Sequence, residues 1–121
     1  MAAVRALRGA TTVDEDSREQ ITERVVELLQ AMMDRNDVEH DDLISVVFTG
    51  SPDIHAMFPA EAARKIGWGD IPLLCAQELD IAGGTPLAIR VLAHLTTERG
   101  RAELHHVYLH GARALRDDLP E

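Results

Sequence analysis

Residues 83–97 read GGTPLAIRVLAHLTT, and two structures compete for them. Thr85-Pro86 is a good helix start, because proline at the first helical position has the required φ and gives up an N–H that would be unpaired anyway. Yet Leu87, Ile89, Val91, Ala93 and Leu95 alternate cleanly, with the period of a half-buried strand. Periodicity alone leaves both open. Read as a strand, the run places Arg90 on the opposite face, together with Ala88, Leu92 and His94.

Outward from this stretch the chain alternates between strand and helix patterns. Downstream, LHHVYLHG (104–111) reads as a last strand, with His106, Tyr108 and His110 on one face and His105, Val107 and Leu109 on the other. Upstream, IPLLCAQ (71–77) and LISVVFTG (43–50) read as short buried strands, the second a β-branched run stopped by glycine. Between them SPDIHAMFPAEAARKIGWGD (51–70) is a loop entering a short helix, with Pro59 near its first turn and Gly67 closing it. Ser17 with Gln20 three residues on resembles a capping box, and Ile21, Val25, Leu28, Leu29 and Met32 then share one helical face. That long helix runs to about Arg35 and ends at Asn36-Asp37. The chain opens with RALRGATTVDED (5–16), in which residues 3–8 form a strand that stops at Arg8-Gly9 and leaves an arginine at the strand end. The sum is a small α+β domain of about five strands, one long helix and one short one.

A length of 121 residues predicts a single domain, 1–121, with a loose tail from about residue 117. The net charge is −9, from 21 acidic and 12 basic residues, which argues against nucleic acid or an anionic membrane as partner. Lys65 is the lone lysine among the bases; the others are arginines. An anionic ligand would therefore be held by a few focused guanidinium groups, which suit carboxylates. The single cysteine, Cys75, rules out an internal disulfide and fits a reducing compartment. Without a signal-peptide-like start or an apolar run of membrane-spanning length, the expected location is the cytoplasm.

Each chemical candidate has an ordinary alternative. Arg8 before Gly9 can be a plain surface residue, whereas Arg90 among apolar neighbours needs a partner. Glu78 can be that partner in a structural ion pair. Cys75 lies beside no obvious base and reads as a small core residue before it reads as a nucleophile. His106 and His110 flank Tyr108 at a spacing that can chelate a metal, but no third ligand stands nearby. Gly83-Gly84 is too short for a phosphate loop and reads as a turn. Taken separately, these residues leave an anion-binding enzyme and a ligand-binding module both standing.

Taken together, RGATTV (8–13), SPDIHAMFPA (51–60), CAQELDIAGG (75–84), IRVL (89–92) and HVYLHGARALRDDL (106–119) resemble the monofunctional chorismate mutases of the AroH class. The order and spacing match almost end to end. The resemblance implies an isomerase that converts chorismate to prephenate on the route to phenylalanine and tyrosine, without metal or other cofactor. It implies a mixed five-stranded sheet, packed with helices, in a homotrimer whose sheets form a pseudo α/β-barrel core with active sites between subunits. It also favours the strand for residues 87–96.

By the same resemblance, Arg90 faces the ether oxygen and a carboxylate of the substrate, and Arg8 holds a carboxylate. Glu78 accepts from the ring hydroxyl, and Tyr108 donates to a carboxylate. Cys75 and the backbone around Leu74 line the ring-hydroxyl end, Phe58 and Leu115 form apolar wall, and Arg64 and Arg116 are peripheral basic residues near the mouth. Two departures stand out: Glu61, where the family often has a lysine, and Leu74, in place of a small polar residue. The chain ends soon after Leu119, so a longer tail over the site is not expected. The rival function is a non-catalytic trimeric binder or sensor of a carboxylate metabolite.

Overall fold

Residues Ala88–Thr97 form a strand, and its neighbours explain why the helix signal at Thr85-Pro86 fails. Leu87 takes a left-handed φ of 49°, which no helix can pass through. Its N–H is held by both carboxylate oxygens of Asp53, at 3.1 and 3.0 Å. Ala88 is locked next to it, donating to Ser51 Oγ at 2.9 Å. From there Ile89, Val91, Ala93 and Leu95 are buried on one face, as the alternation requires.

The computed structural model describes residues 2–114. In chain order these form β1 (Ala3–Thr12), α1 (Arg18–Arg35), β2 (Leu43–Gly50), α2 (Pro59–Lys65), β3 (Leu73–Gln77), β4 (Ala88–Thr97) and β5 (Val107–Tyr108), an α+β arrangement. The five strands make one sheet in the order β3-β2-β4-β1-β5. β4 is antiparallel to both β1 and β2, whereas β3 runs parallel to β2 and β5 parallel to β1, so the sheet is mixed. Ile21, Val25, Leu28, Leu29 and Met32 of α1 join Leu7, Val46, Phe48 and the buried face of β4 in one core, with Ala60, Ala62 and Ala63 of α2. Both helices thus cover the same side of the sheet. Among the described residues no helix is long and apolar enough to cross a membrane.

Five elements differ from the sequence reading. β1 does not stop at Arg8-Gly9 but continues to Thr12, and Arg8 lies in mid-strand opposite Leu92. Gly9 is there for α1: a Cβ on it would come within 2.4 Å of Met32 Sδ and 3.2 Å of Leu28 Cδ1. The capping box is half formed, since Ser17 Oγ accepts from Gln20 N–H while Gln20 Oε1 takes the N–H of Asp14 instead. β2 and β3 are not fully buried; β2 is buried only at Val46 and Phe48, and β3 is an edge strand with Leu74 63% exposed. The last strand shrinks to Val107–Tyr108, because the chain turns at His110, whose φ is 53°. His106, Tyr108 and His110 therefore do not share a strand face.

Candidate active site

The face of the sheet opposite the helices brings the predicted residues together through register. Thr49 of β2 pairs with Arg90 of β4, Arg90 with Ala10 of β1, and Ala10 with Tyr108 of β5. One row of side chains therefore crosses four strands, spanning about 14 Å at the usual strand spacing. A second row, Leu74–Val47–Leu92–Arg8, runs beside it two residues along each strand. Ala10, small and central, keeps the space between Arg90 and Tyr108 open.

Arg8, Ala10, Val47, Thr49, Glu78, Arg90, Leu92 and Tyr108 line a cleft of about 310 Å³, of a size for a small ligand. Two guanidinium groups against one carboxylate make it locally cationic in an acidic chain, and focused charge of this kind draws in an anion. Arg90 is not buried; its side chain is 45% exposed and its Nε lies 3.9 Å from Glu78 Oε2. That separation is an electrostatic contact, too long for a hydrogen bond. Thr49 Oγ1 donates to the same Glu78 oxygen. Glu78 is placed by its own backbone, which donates to Gly50 O at 2.9 Å just past the end of β3. Tyr108 is 4% exposed, and its hydroxyl is buried with no hydrogen-bond partner among the described residues. A buried phenol without an acceptor is costly.

The remaining candidates lie elsewhere. Phe58 and Cys75 line a different hollow of about 500 Å³, together with Arg18, Met57 and Glu61. Cys75 pairs with Phe48 and so belongs to the helix-facing side of β3, which separates it from Arg90. Leu74 shares the face of Arg8 but sits at the outer edge of its row. Arg64 is exposed in the last turn of α2 and lines neither hollow. Leu115 and Arg116 lie outside the described residues. Glu61 is ion-paired with Arg18 at 2.9 Å, so its charge at that hollow is offset.

The histidines are engaged separately: His106 Nδ1 accepts from Arg8 N–H at 3.0 Å, and His110 meets Glu27 at 2.8 Å. Among the described residues no three histidine, cysteine or acidic side chains are grouped for a metal. Sequence reasoning missed Thr49 and the two loop anchors, Asp53 and Asp16. Asp16 holds the N–H groups of His55 and Ala56 ahead of Phe58. The acidic run after RGATT was a visible signal; its partners were not.

Known proteins share this fold and much of this sequence. A structure of a chorismate mutase from Clostridium thermocellum superposes with a TM-score of 0.88 and 41% identity, covering 90% of this chain and 97% of that one. A chorismate mutase AroH of Thermus thermophilus is 44% identical over 117 residues, 96% of each chain. That of Bacillus subtilis is 38% identical over 117 residues, 96% of this chain and 92% of its own. The family model described as chorismate mutase type I matches residues 4–119, and with relatives this similar over nearly their whole length, the chain belongs to that family.

Proposed function

We propose that chorismate rearranges to prephenate in the cleft of Arg8, Glu78, Arg90 and Tyr108, making the protein an isomerase of aromatic amino-acid biosynthesis. The observation that carries the site assignment is Tyr108: it lines the same cleft as two guanidinium groups, and its hydroxyl is buried with no hydrogen-bond partner among the described residues. The reaction breaks a carbon–oxygen bond as a carbon–carbon bond forms within one molecule. It needs no nucleophile and no proton transfer. The protein's work is to hold a dicarboxylate in a compact conformation and to stabilise charge as it develops on the ether oxygen. Arg90, at the centre of the row, is the donor to that oxygen. Arg8 and Tyr108 hold carboxylate, and Glu78 accepts from the ring hydroxyl.

We further propose that the site is completed by another copy of the chain in a homotrimer. The helix-free face leaves Val47 and Leu92 partly exposed, and Val4, Phe58 and Leu74 are each more than 60% exposed. Apposing these faces would bring the Phe58 and Cys75 hollow of one copy toward the arginine cleft of the next, with Leu74 and Arg64 at the rim. The match over residues 4–119 supports treating 1–121 as one domain.

Arg90→Ala tests the mechanism. Its partner charge exists mainly in the transition state, so kcat should fall by roughly 10²–10³ or more, with a much smaller change in KM. Arg8→Ala, facing a carboxylate already charged in the ground state, should show a larger share of its loss in KM. An Arg90→Ala enzyme with normal kcat and a raised KM would make Arg90 a plain anion anchor and overturn the assignment.

A further inference from the structure

We propose that Thr49 is a positioning residue for this reaction: its hydroxyl holds the Glu78 carboxylate away from Arg90, so that both groups remain available to substrate. The inference rests on the assignment of Glu78 and Arg90 to the site. Thr49 and Arg90 are direct partners across β2 and β4, and the backbone bond from Glu78 N–H to Gly50 O delivers the carboxylate to the same place. A glutamate within reach of a half-exposed arginine ordinarily closes on it in a paired, two-pronged contact of about 2.7–2.9 Å. Here the approach stops at 3.9 Å, at Nε.

Thr49 Oγ1 accounts for the difference. It donates to Glu78 Oε2, the same oxygen that faces Arg90. Both contacts fall on Oε2, and among the described residues the structure shows no hydrogen bond to Oε1. Oε1 is thus the oxygen left for a substrate hydroxyl, while the guanidinium is left for the substrate's own oxygens. Without the hydroxyl, Glu78 gains its missing partner by moving about 1 Å onto Arg90. That pairing would occupy both groups at once.

The test compares Thr49→Val, Thr49→Ala and Thr49→Ser, each alone and in a Glu78→Ala background, using chorismate turnover and thermal midpoint. Valine keeps the shape and β-branching, so the midpoint should move little; alanine guards against a packing fault peculiar to valine. The expected result is a fall of about tenfold in kcat/KM for Thr49→Val and Thr49→Ala, and near-normal turnover for Thr49→Ser. In the Glu78→Ala background the same substitutions should cost almost nothing further, because Thr49 acts only through that carboxylate. Wild-type turnover in Thr49→Val and Thr49→Ala, with Glu78→Ala impaired, would overturn this inference alone. A full tenfold loss persisting without Glu78 would also overturn it. Wild-type kinetics for Glu78→Ala would overturn the assignment of Glu78, and the role of Thr49 with it.

Discussion

Tyr108 is the residue at which stability and function pull apart. Its hydroxyl is buried and has no hydrogen-bond partner among the described residues, a condition worth about 1–3 kcal/mol of lost stability. Tyr108→Phe should therefore keep or raise the thermal midpoint of the free protein while raising KM for chorismate several-fold. A lower midpoint with unchanged KM would show the hydroxyl to be structural. Arg8, Glu78, Arg90 and Tyr108 were legible in the sequence because each stands in a motif that carries the family resemblance, and the sheet gathers all four. Thr49 was not, since its importance lies in the register of β2 against β4, and a sequence does not print register. Cys75 and Phe58 stand in the same motifs, and within one chain alternation puts Cys75 on the helix side of β3, away from Arg90. For Arg90, an apolar neighbourhood in sequence implied burial, whereas strand alternation turns its side chain to the open face.

At the scale of elements, the start of β4 depends on one carboxylate. Asp53 accepts from Ser51 Oγ and from Leu87 N–H, and these contacts, the Ser51 bond foremost, hold its carboxyl below the usual aspartate range against an opposing effect of burial. The left-handed Leu87 that it steadies costs on the order of 1–3 kcal/mol. A carboxyl depressed in the folded state adds stability above its unfolded pKa of about 3.9, and that stability is lost as pH falls through the folded value. Asp53→Asn should consequently cost about 1–2 kcal/mol at pH 7 in urea unfolding, and the gap to wild type should narrow at pH 3. An equal gap at both values would assign the effect to shape alone. This contact also explains what the sequence hid: Thr85-Pro86 is a true helix signal, overruled by a partner 32 or more residues upstream. Gly9 misled in the opposite direction. Glycine reads as a strand terminator, yet here it makes room for Met32 within a strand that continues. The core helix α1 was legible because five apolar residues at helical spacing need no partner to be recognised, and β5 was overlong because alternation persists through a turn that only a positive φ reveals.

The whole molecule is an acidic chain with a small cationic cleft on the bare face of its sheet. An open face with Leu74 on an edge strand predicts association, and light scattering at micromolar concentration should give a mass three times that of the chain. A stable monomer with full activity would mean that the cleft needs no second copy. The central claim is chemical: the cleft turns its ligand over by orienting it and meeting its developing charge, without a nucleophile. The most direct measurement follows chorismate absorbance and prephenate formation together, using purified protein with a chelator present and no added cofactor. The account predicts saturable loss of chorismate matched one for one by prephenate. Chorismate that binds in calorimetry but remains unconverted would contradict it and leave the protein a binder of a carboxylate metabolite.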